Sequence, residues 1–243
     1  MPLLIALQFL TTIPIHTAGA ITPQTMGRAM AWFPVVGLII GALLAASDRF
    51  LSLVFPPAVT AGLLILLWVA LTGGLHLDGL MDCCDGLLGA KPPNRRLEIM
   101  RDTHLGAFAV LGAVSILLIK YAAVQELSPV SRTAALIVTP ALSRAMMVFA
   151  ARAYPYARSE PGLGQLFREG LSWRHVGMAG LVGLSAATLA LGSAGIGLTA
   201  ILWVETAVIS WLVQRRIPGL TGDAYGLINE LTEVGALLVL LLI

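Results

Sequence analysis

Apolar residues along this chain gather into stretches close to the length of a bilayer-crossing helix, about 20 residues at 1.5 Å each. Six such stretches stand out, approximately Ala29–Ala46, Ala58–Leu75, Leu105–Val124, Thr133–Ala151, Val176–Leu191 and Gly197–Val213. A seventh, Tyr225–Ile243, is polar in its first half. Proline pairs at Pro56-Pro57 and Pro92-Pro93 mark joints between them. The opening stretch, Pro2 to Ile13, is too short to span and reads as an interfacial or re-entrant segment. It lacks a basic leader and an Ala-x-Ala site, so no cleaved signal peptide is expected. The pattern predicts an all-α, polytopic integral membrane helical bundle of about seven spans, forming a single domain over residues 1–243.

Composition supports this reading. Hydrophobic residues make up 58% of the chain and charged ones 12%, against roughly 25% charged in a soluble domain. The net charge of +2 says little, and the absence of a like-charge run argues against a nucleic-acid partner. The placement of basic residues says more, because short cytoplasmic loops retain Lys and Arg. Lys91, Arg95, Arg96 and Arg101 follow the second stretch, and Arg152, Arg158, Arg168 and Arg174 follow the fourth. Arg215 and Arg216 follow the sixth, and Arg28 precedes the first. That puts 11 of the 15 basic residues on one side, with only Arg49 and Arg132 on the other. The expectation is a multi-pass protein of the cell inner membrane, with its N-terminus and its chemistry at the cytoplasmic face. Adjacent Cys83 and Cys84 are poorly placed for a disulfide with each other and have no zinc-site spacing.

Chemistry concentrates in His76-Leu-Asp-Gly-Leu-Met-Asp-Cys-Cys-Asp-Gly86. Asp78, Asp82 and Asp85 are spaced i, i+4, i+7 and share one helical face. Like charges on adjacent turns repel, so a cation or basic groups must offset them. Hard oxygen donors of this kind suit Mg²⁺, usually held by one or two carboxylates together with substrate phosphates and water. Gly79 and Gly86 would allow a phosphate or another helix to approach closely. The plain alternative is a solvated acidic loop, which is the usual fate of charges at helix ends. Three carboxylates in register at a membrane edge favour a site instead. His76 alone reads more readily as a solvated or capped histidine than as a ligand.

Two further clusters follow. Glu98, Arg101, Asp102 and His104 form either an exposed linker with weak ion pairs or a second wall of the site. In the second case Arg101, Arg95 or Arg96 would hold phosphate, oriented by Asp102. Near the C-terminus, Asp223, Glu230 and Glu233 share about one face and open an otherwise apolar segment. Carboxylates at that depth need a partner, a metal or a wet cavity. Arg144 lies mid-stretch and could reach a phosphate or a carboxylate, whereas Glu205 and Lys120 read as partners of a structural pair.

Taken in order, these segments resemble one family, the cobalamin synthases (adenosylcobinamide-GDP ribazoletransferases). The resemblance rests on Gly73-Gly-Leu-His-Leu-Asp-Gly-Leu-Met-Asp-Cys-Cys-Asp-Gly86, Ile99-Met-Arg-Asp-Thr-His-Leu-Gly106 and Thr221-Gly-Asp through Glu230. Phe9 to Pro14, Ala31 to Gly37, Leu142-Ser143-Arg144 and Pro155 to Arg158 add to it. Departures are Cys83 and Cys84, where Thr and Ala are more usual, and Thr12, where a basic residue is common. The resemblance implies a Mg²⁺-dependent transferase that joins adenosylcobinamide-GDP to α-ribazole, or its 5′-phosphate, late in cobalamin (vitamin B12) biosynthesis. The product is adenosylcobalamin or its phosphate, and GMP is released.

On that chemistry, Asp78, Asp82 and Asp85 would hold metal, joined by Asp223, Glu230 and Glu233. Arg101, Arg144, Arg158, Arg95 and Arg96 would bind substrate phosphate beside Gly79 and Gly86. The proton acceptor stays open among His76, Asp82, Asp85 and Asp102. Expected partners are the two substrates and the lipid bilayer, with self-association or contact with other enzymes of the pathway left open. Two rival readings carry different expectations. A cation-coupled secondary transporter predicts midplane carboxylates and inverted repeats. A CDP-alcohol-phosphotransferase-like enzyme predicts an Ala-Arg pair and further aspartates, which do not follow Gly86.

Overall fold

The computed structural model describes residues 1–15, 17, 22–89, 91–158 and 163–243. Within these residues the chain is wholly helical, apart from one isolated parallel bridge between Tyr156 and Leu220. In chain order the helices are α1 (Pro2–Leu10), α2 (Pro23–Met30), α3 (Phe33–Leu51), α4 (Pro57–Thr72), α5 (Leu75–Leu88) and α6 (Pro93–Ile99). They continue as α7 (Ala107–Glu126), α8 (Pro129–Ala153), α9 (Leu163–Gly170), α10 (Trp173–Leu191), α11 (Ser193–Gln214) and α12 (Gly222–Leu240). Six of them, α1, α2, α3, α4, α6 and α8, carry proline in the first turn. A missing N–H costs nothing there, since the first-turn donors have no helical partner.

Among the described residues five helices, α3, α7, α8, α10 and α11, are long and apolar enough to cross a membrane. The count becomes six if α4 and α5, bent by 91° at their joint, make one broken span. The expected stretch Ala58–Leu75 therefore stops at Thr72. Gly73 and Gly74 take positive φ angles of 62° and 69°, a region open to glycine at little cost, and the chain turns into α5. The expected seventh stretch forms as α12, whose polar first half is buried inside the bundle. The opening segment forms the nine-residue α1, packed on α2 and α3. Thr12 ties its end to α4, donating from its backbone N–H to the Leu71 carbonyl (2.9 Å) and from its hydroxyl to that of Ala70 (3.0 Å).

The 25-residue α8 is the axis of the bundle and is buried over most of its length. Gly37 and Gly41 of α3, four residues apart, lie directly on its backbone, and a Cβ on either would collide with it. Pro140 inside α8 cannot donate to the carbonyl four residues back, that of Leu136. That same carbonyl oxygen faces Gly41, and a Cβ there would meet it at 2.5 Å. Small residues on α3 thus accommodate the irregularity in α8, as is common where membrane helices pack closely. Farther along the same pair, Arg132 reaches the Asp48 carboxylate at 3.0 Å, both side chains buried.

Candidate active site

The site is built where α5 and α12 cross. Glycine lets them meet backbone to backbone. A Cβ on Gly79 would touch the Asp223 carbonyl oxygen at 2.8 Å, and one on Gly226 would touch that of His76 at 2.8 Å. Gly79 therefore admits a helix, one of the two roles its spacing suggested, while also lining the cavity described below. Gly86 does the same against α6, where a Cβ would collide with Met100 and meet the Arg96 carbonyl.

Beside this crossing lies a cavity of about 530 Å³. Its polar wall carries His76, Asp78, Arg101, Tyr156, Arg158 and Asp223. The residues come from both halves of the chain because the segment before α12 is laced to the segment after α8. Ala157 N–H donates to the Leu220 carbonyl, and Leu220 N–H donates to that of Pro155, each at 2.8 Å. This brings Arg158 Nη2 within 2.9 Å of an Asp223 carboxylate oxygen, which also accepts from the Thr221 hydroxyl at 3.2 Å. Arg158 Nε is buried without a hydrogen-bond partner, which leaves a donor for a ligand. Burial pushes the Tyr156 hydroxyl above the usual tyrosine range, opposed by the charges of Arg158 and Arg101. Asp82 is half-buried one turn along α5 and interacts with the charges of Asp223, Asp78 and Arg158.

Other expected site residues take different places. Asp85 turns away to α7: its oxygens accept from the Gly106 N–H (2.7 Å) and the Ala109 N–H (2.9 Å) at the helix start. This is a cap delivered from another helix, and it satisfies donors that have no partner within α7. Replacing Asp85 with alanine is expected to cost about 0.5–2 kcal/mol of stability, read as a lower melting temperature with the Michaelis constants unchanged. Asp102 is exposed, and its carboxylate is bonded to the His104 ring at 2.6 Å, which holds it below the usual carboxylate range. Arg95 pairs with Glu98 at 2.7 Å in solvent.

Arg96 is buried and donates to the carbonyls of Lys91 (2.7 Å), Gly86 (3.1 Å) and Leu87 (2.6 Å). It closes the C-terminus of α5 rather than holding phosphate, because the last carbonyls of a helix lack internal donors.

The largest correction concerns Glu230 and Glu233. Both are buried and both accept from the Lys120 ammonium, at 2.6 and 2.5 Å. Glu233 also accepts from Arg144 (3.2 Å), Ser143 (3.2 Å) and Asn229 (3.0 Å). Lys120 lies 5.0 Å from the centre of the Trp68 ring. Two cations and two anions thus neutralise one another inside the bundle. The positive charge expected from a metal is supplied by Lys120 and Arg144, and Arg144 is fully buried away from the cavity. Glu205, read as a partner of such a pair, stands apart from it against Gly235, with one oxygen buried and unbonded. Cys83 and Cys84 are free thiols.

Among the described residues no three His, Cys, Asp or Glu side chains converge to hold a metal ion by themselves. Asp78, Asp82 and Asp223 form a sparser carboxylate set beside the two cavity arginines. This fits Mg²⁺, which takes one or two carboxylates and fills its shell with phosphate oxygens and water. Several cavity residues carried no role in the sequence reading: Tyr156, Tyr225, and the aromatic trio Phe9, Phe33 and Phe167. Phe9, Phe33, Tyr156 and Tyr225 lie inside the motifs named above, which is the only sequence signal for them.

Comparison with known proteins bears on the same residues. The family model described as cobalamin-5-phosphate synthase matches residues 2–241. An adenosylcobinamide-GDP ribazoletransferase of Syntrophobacter fumaroxidans is 40% identical over 94% of this chain and 93% of its own length. A protein of the same name from Desulfitobacterium hafniense is 39% identical, covering 95% and 92%. One from Pseudomonas aeruginosa strain UCBPP-PA14 is 41% identical, covering 99% and 97%. No solved structure matches the chain.

Proposed function

This chain belongs to the cobalamin-5-phosphate synthase family and is an adenosylcobinamide-GDP ribazoletransferase, and from that premise we propose that the reaction takes place in the cavity beside the α5–α12 crossing. The observation that carries this reading is the meeting, in one cavity, of Asp78 and Asp223 with Arg101 and Arg158. Carboxylates and guanidinium groups drawn from distant parts of the chain are what a diphosphate substrate requires.

The donor is adenosylcobinamide-GDP and the acceptor α-ribazole or its 5′-phosphate. The 3′-hydroxyl of the ribazole attacks the phosphorus on the cobinamide side. A new O–P bond forms, the O–P bond to GMP breaks, and GMP leaves with the bridging oxygen. Phosphoryl transfer depends on positioning and charge neutralisation more than on covalent help. Arg158 and Arg101 provide both, Arg158 through its unpartnered Nε and its fixed pairing with Asp223. Of the groups considered as proton acceptors, two stay available: His76 lines the cavity and is buried, with Nδ1 unbonded, and Asp82 is half-buried beside the charges of Asp223 and Asp78. Asp85 and Asp102 are committed elsewhere. Mg²⁺ held through Asp78, Asp82 and Asp223 would supply charge against the negative charge that develops on the phosphate oxygens. The basic residues flanking the cavity favour the cytoplasmic face for this site.

The decisive measurement is GMP release from adenosylcobinamide-GDP and α-ribazole by the purified protein in lipid nanodiscs with Mg²⁺. Turnover that stops on chelation and returns with Mg²⁺ is expected. Turnover unaffected by exhaustive chelation would remove the metal from the reading, and no GMP at all would remove the site.

A further inference from the structure

The cavity also has an aromatic and apolar lining. Phe9 of α1, Phe33 of α3 and Phe167 of α9 meet in it, and Met30 and Met147 line the same cavity. The Phe9 and Phe33 rings are near parallel (11°, centroids 6.1 Å apart), and Phe167 stands edge-on to both, at 4.7 and 5.9 Å. Phe33 and Phe167 are buried, whereas Phe9 is only half-buried and offers ring surface to the cavity. Tyr225 lines the same space, and its hydroxyl is buried without a hydrogen-bond partner. A buried hydroxyl left unpaired is costly, so it marks where a ligand atom is wanted.

We propose that this aromatic lining is the base-recognition subsite for the acceptor nucleoside, with Phe9 packing on its benzimidazole and the Tyr225 hydroxyl donating to the one free ring nitrogen. The inference rests on the transferase reading and adds a specificity pocket to it. Four features select this ligand over other parts of the two substrates. A dimethylbenzimidazole is planar and apolar, with a single acceptor nitrogen and no N–H donor once it is joined to ribose. One buried, unpartnered hydroxyl in a cavity also lined by phenylalanines and methionines matches that inventory. Guanine presents several donors and acceptors, and apolar walls would leave them unpaired. The corrin ring with its side chains is far larger than a cavity of about 530 Å³, a size suited to a compact nucleoside. The two methionines suit the methylated edge, since a thioether adapts to aromatic and methyl contacts.

The test measures Michaelis constants for each substrate by GMP release, with α-ribazole compared to the corresponding indole riboside, in which a C–H replaces the free nitrogen. Tyr225→Phe is expected to raise KM for α-ribazole about tenfold, the size of one hydrogen bond, and to leave KM for the indole riboside unchanged. Phe9→Ala is expected to raise KM for both nucleosides about equally. Neither variant should move KM for adenosylcobinamide-GDP, and both should elute as the wild type does on gel filtration. Phe9→Leu, which keeps apolar bulk, covers the case in which Phe9→Ala fails to fold, and should show a smaller rise in the same two constants. The proposal is overturned if Tyr225→Phe affects the two nucleosides alike, or if the Phe9 variants change KM for the corrinoid instead. A wild-type protein that releases no GMP overturns the transferase site itself, a result distinct from either of these.

Discussion

Replacing Lys120 with methionine will destabilise the protein more than any other single change considered above. Its ammonium is shared by Glu230 and Glu233, all three side chains being buried. Removing it leaves two carboxylates facing one remaining guanidinium, that of Arg144 on Glu233. An uncompensated buried charge is the expensive outcome, and breaking such a pair typically costs about 3–5 kcal/mol. For a chain of this size that corresponds to a fall in melting temperature on the order of 10 °C. The compensating change is specific. Lys120→Met together with Glu230→Gln restores neutrality, because Glu233 keeps Arg144, and should recover most of the lost stability. Thermal melts of the single and double variants in one detergent decide the matter. A single variant that melts with the wild type, or a double variant no better than the single, would show that the four charges do not act as one neutral unit.

Asp223→Asn carries the largest expected loss of activity. The carboxylate anchors Arg158 at 2.9 Å and interacts with the charges of Asp78 and Asp82. Asparagine keeps the shape but removes the charge that both holds the arginine and would draw a divalent cation. Losing one element of a preorganised electrostatic site commonly costs on the order of 100- to 1000-fold in turnover. The same range is expected for Asp82→Asn. The fold should persist, because the α5–α12 contact at this point is made by the Gly79 backbone and the Asp223 carbonyl, which the substitution does not touch. Asp102→Asn provides the contrast: it is exposed and, among the described residues, bonded to His104 in its own turn, so turnover should change less than about threefold. Equal losses at Asp102 and Asp223 would mean that the cavity is not where the reaction occurs.

How far the site could be read in advance varies from residue to residue. The stripe Asp78, Asp82 and Asp85 lies on one helical face, as its spacing predicts, because periodicity along a helix depends only on local geometry. Yet the three residues diverge: Asp78 lines the cavity, Asp82 lies in the acidic field behind it, and Asp85 caps α7. Spacing could place them on one face but could not say what each tip would meet. Arg101 and Arg158 reach the cavity, while Arg95, Arg96 and Arg144, of the same residue type, do not. The glycine pair Gly37 and Gly41 was in plain view, though only the backbone of α8 reveals its purpose.

What the sequence determined by itself is whatever follows from local preference and from solvent. Long apolar stretches must become helices in a bilayer, where every backbone group needs an internal partner. Proline sets where helices start. The linear motifs were enough to name the family. Only the tertiary structure decided which charges cancel. Lys120 and Glu233 are 113 residues apart, and Arg158 and Asp223 are 65 apart. Whether a buried carboxylate binds a metal, caps a helix or pairs with a lysine depends on the partner placed within about 3 Å of it, and packing alone supplies that partner.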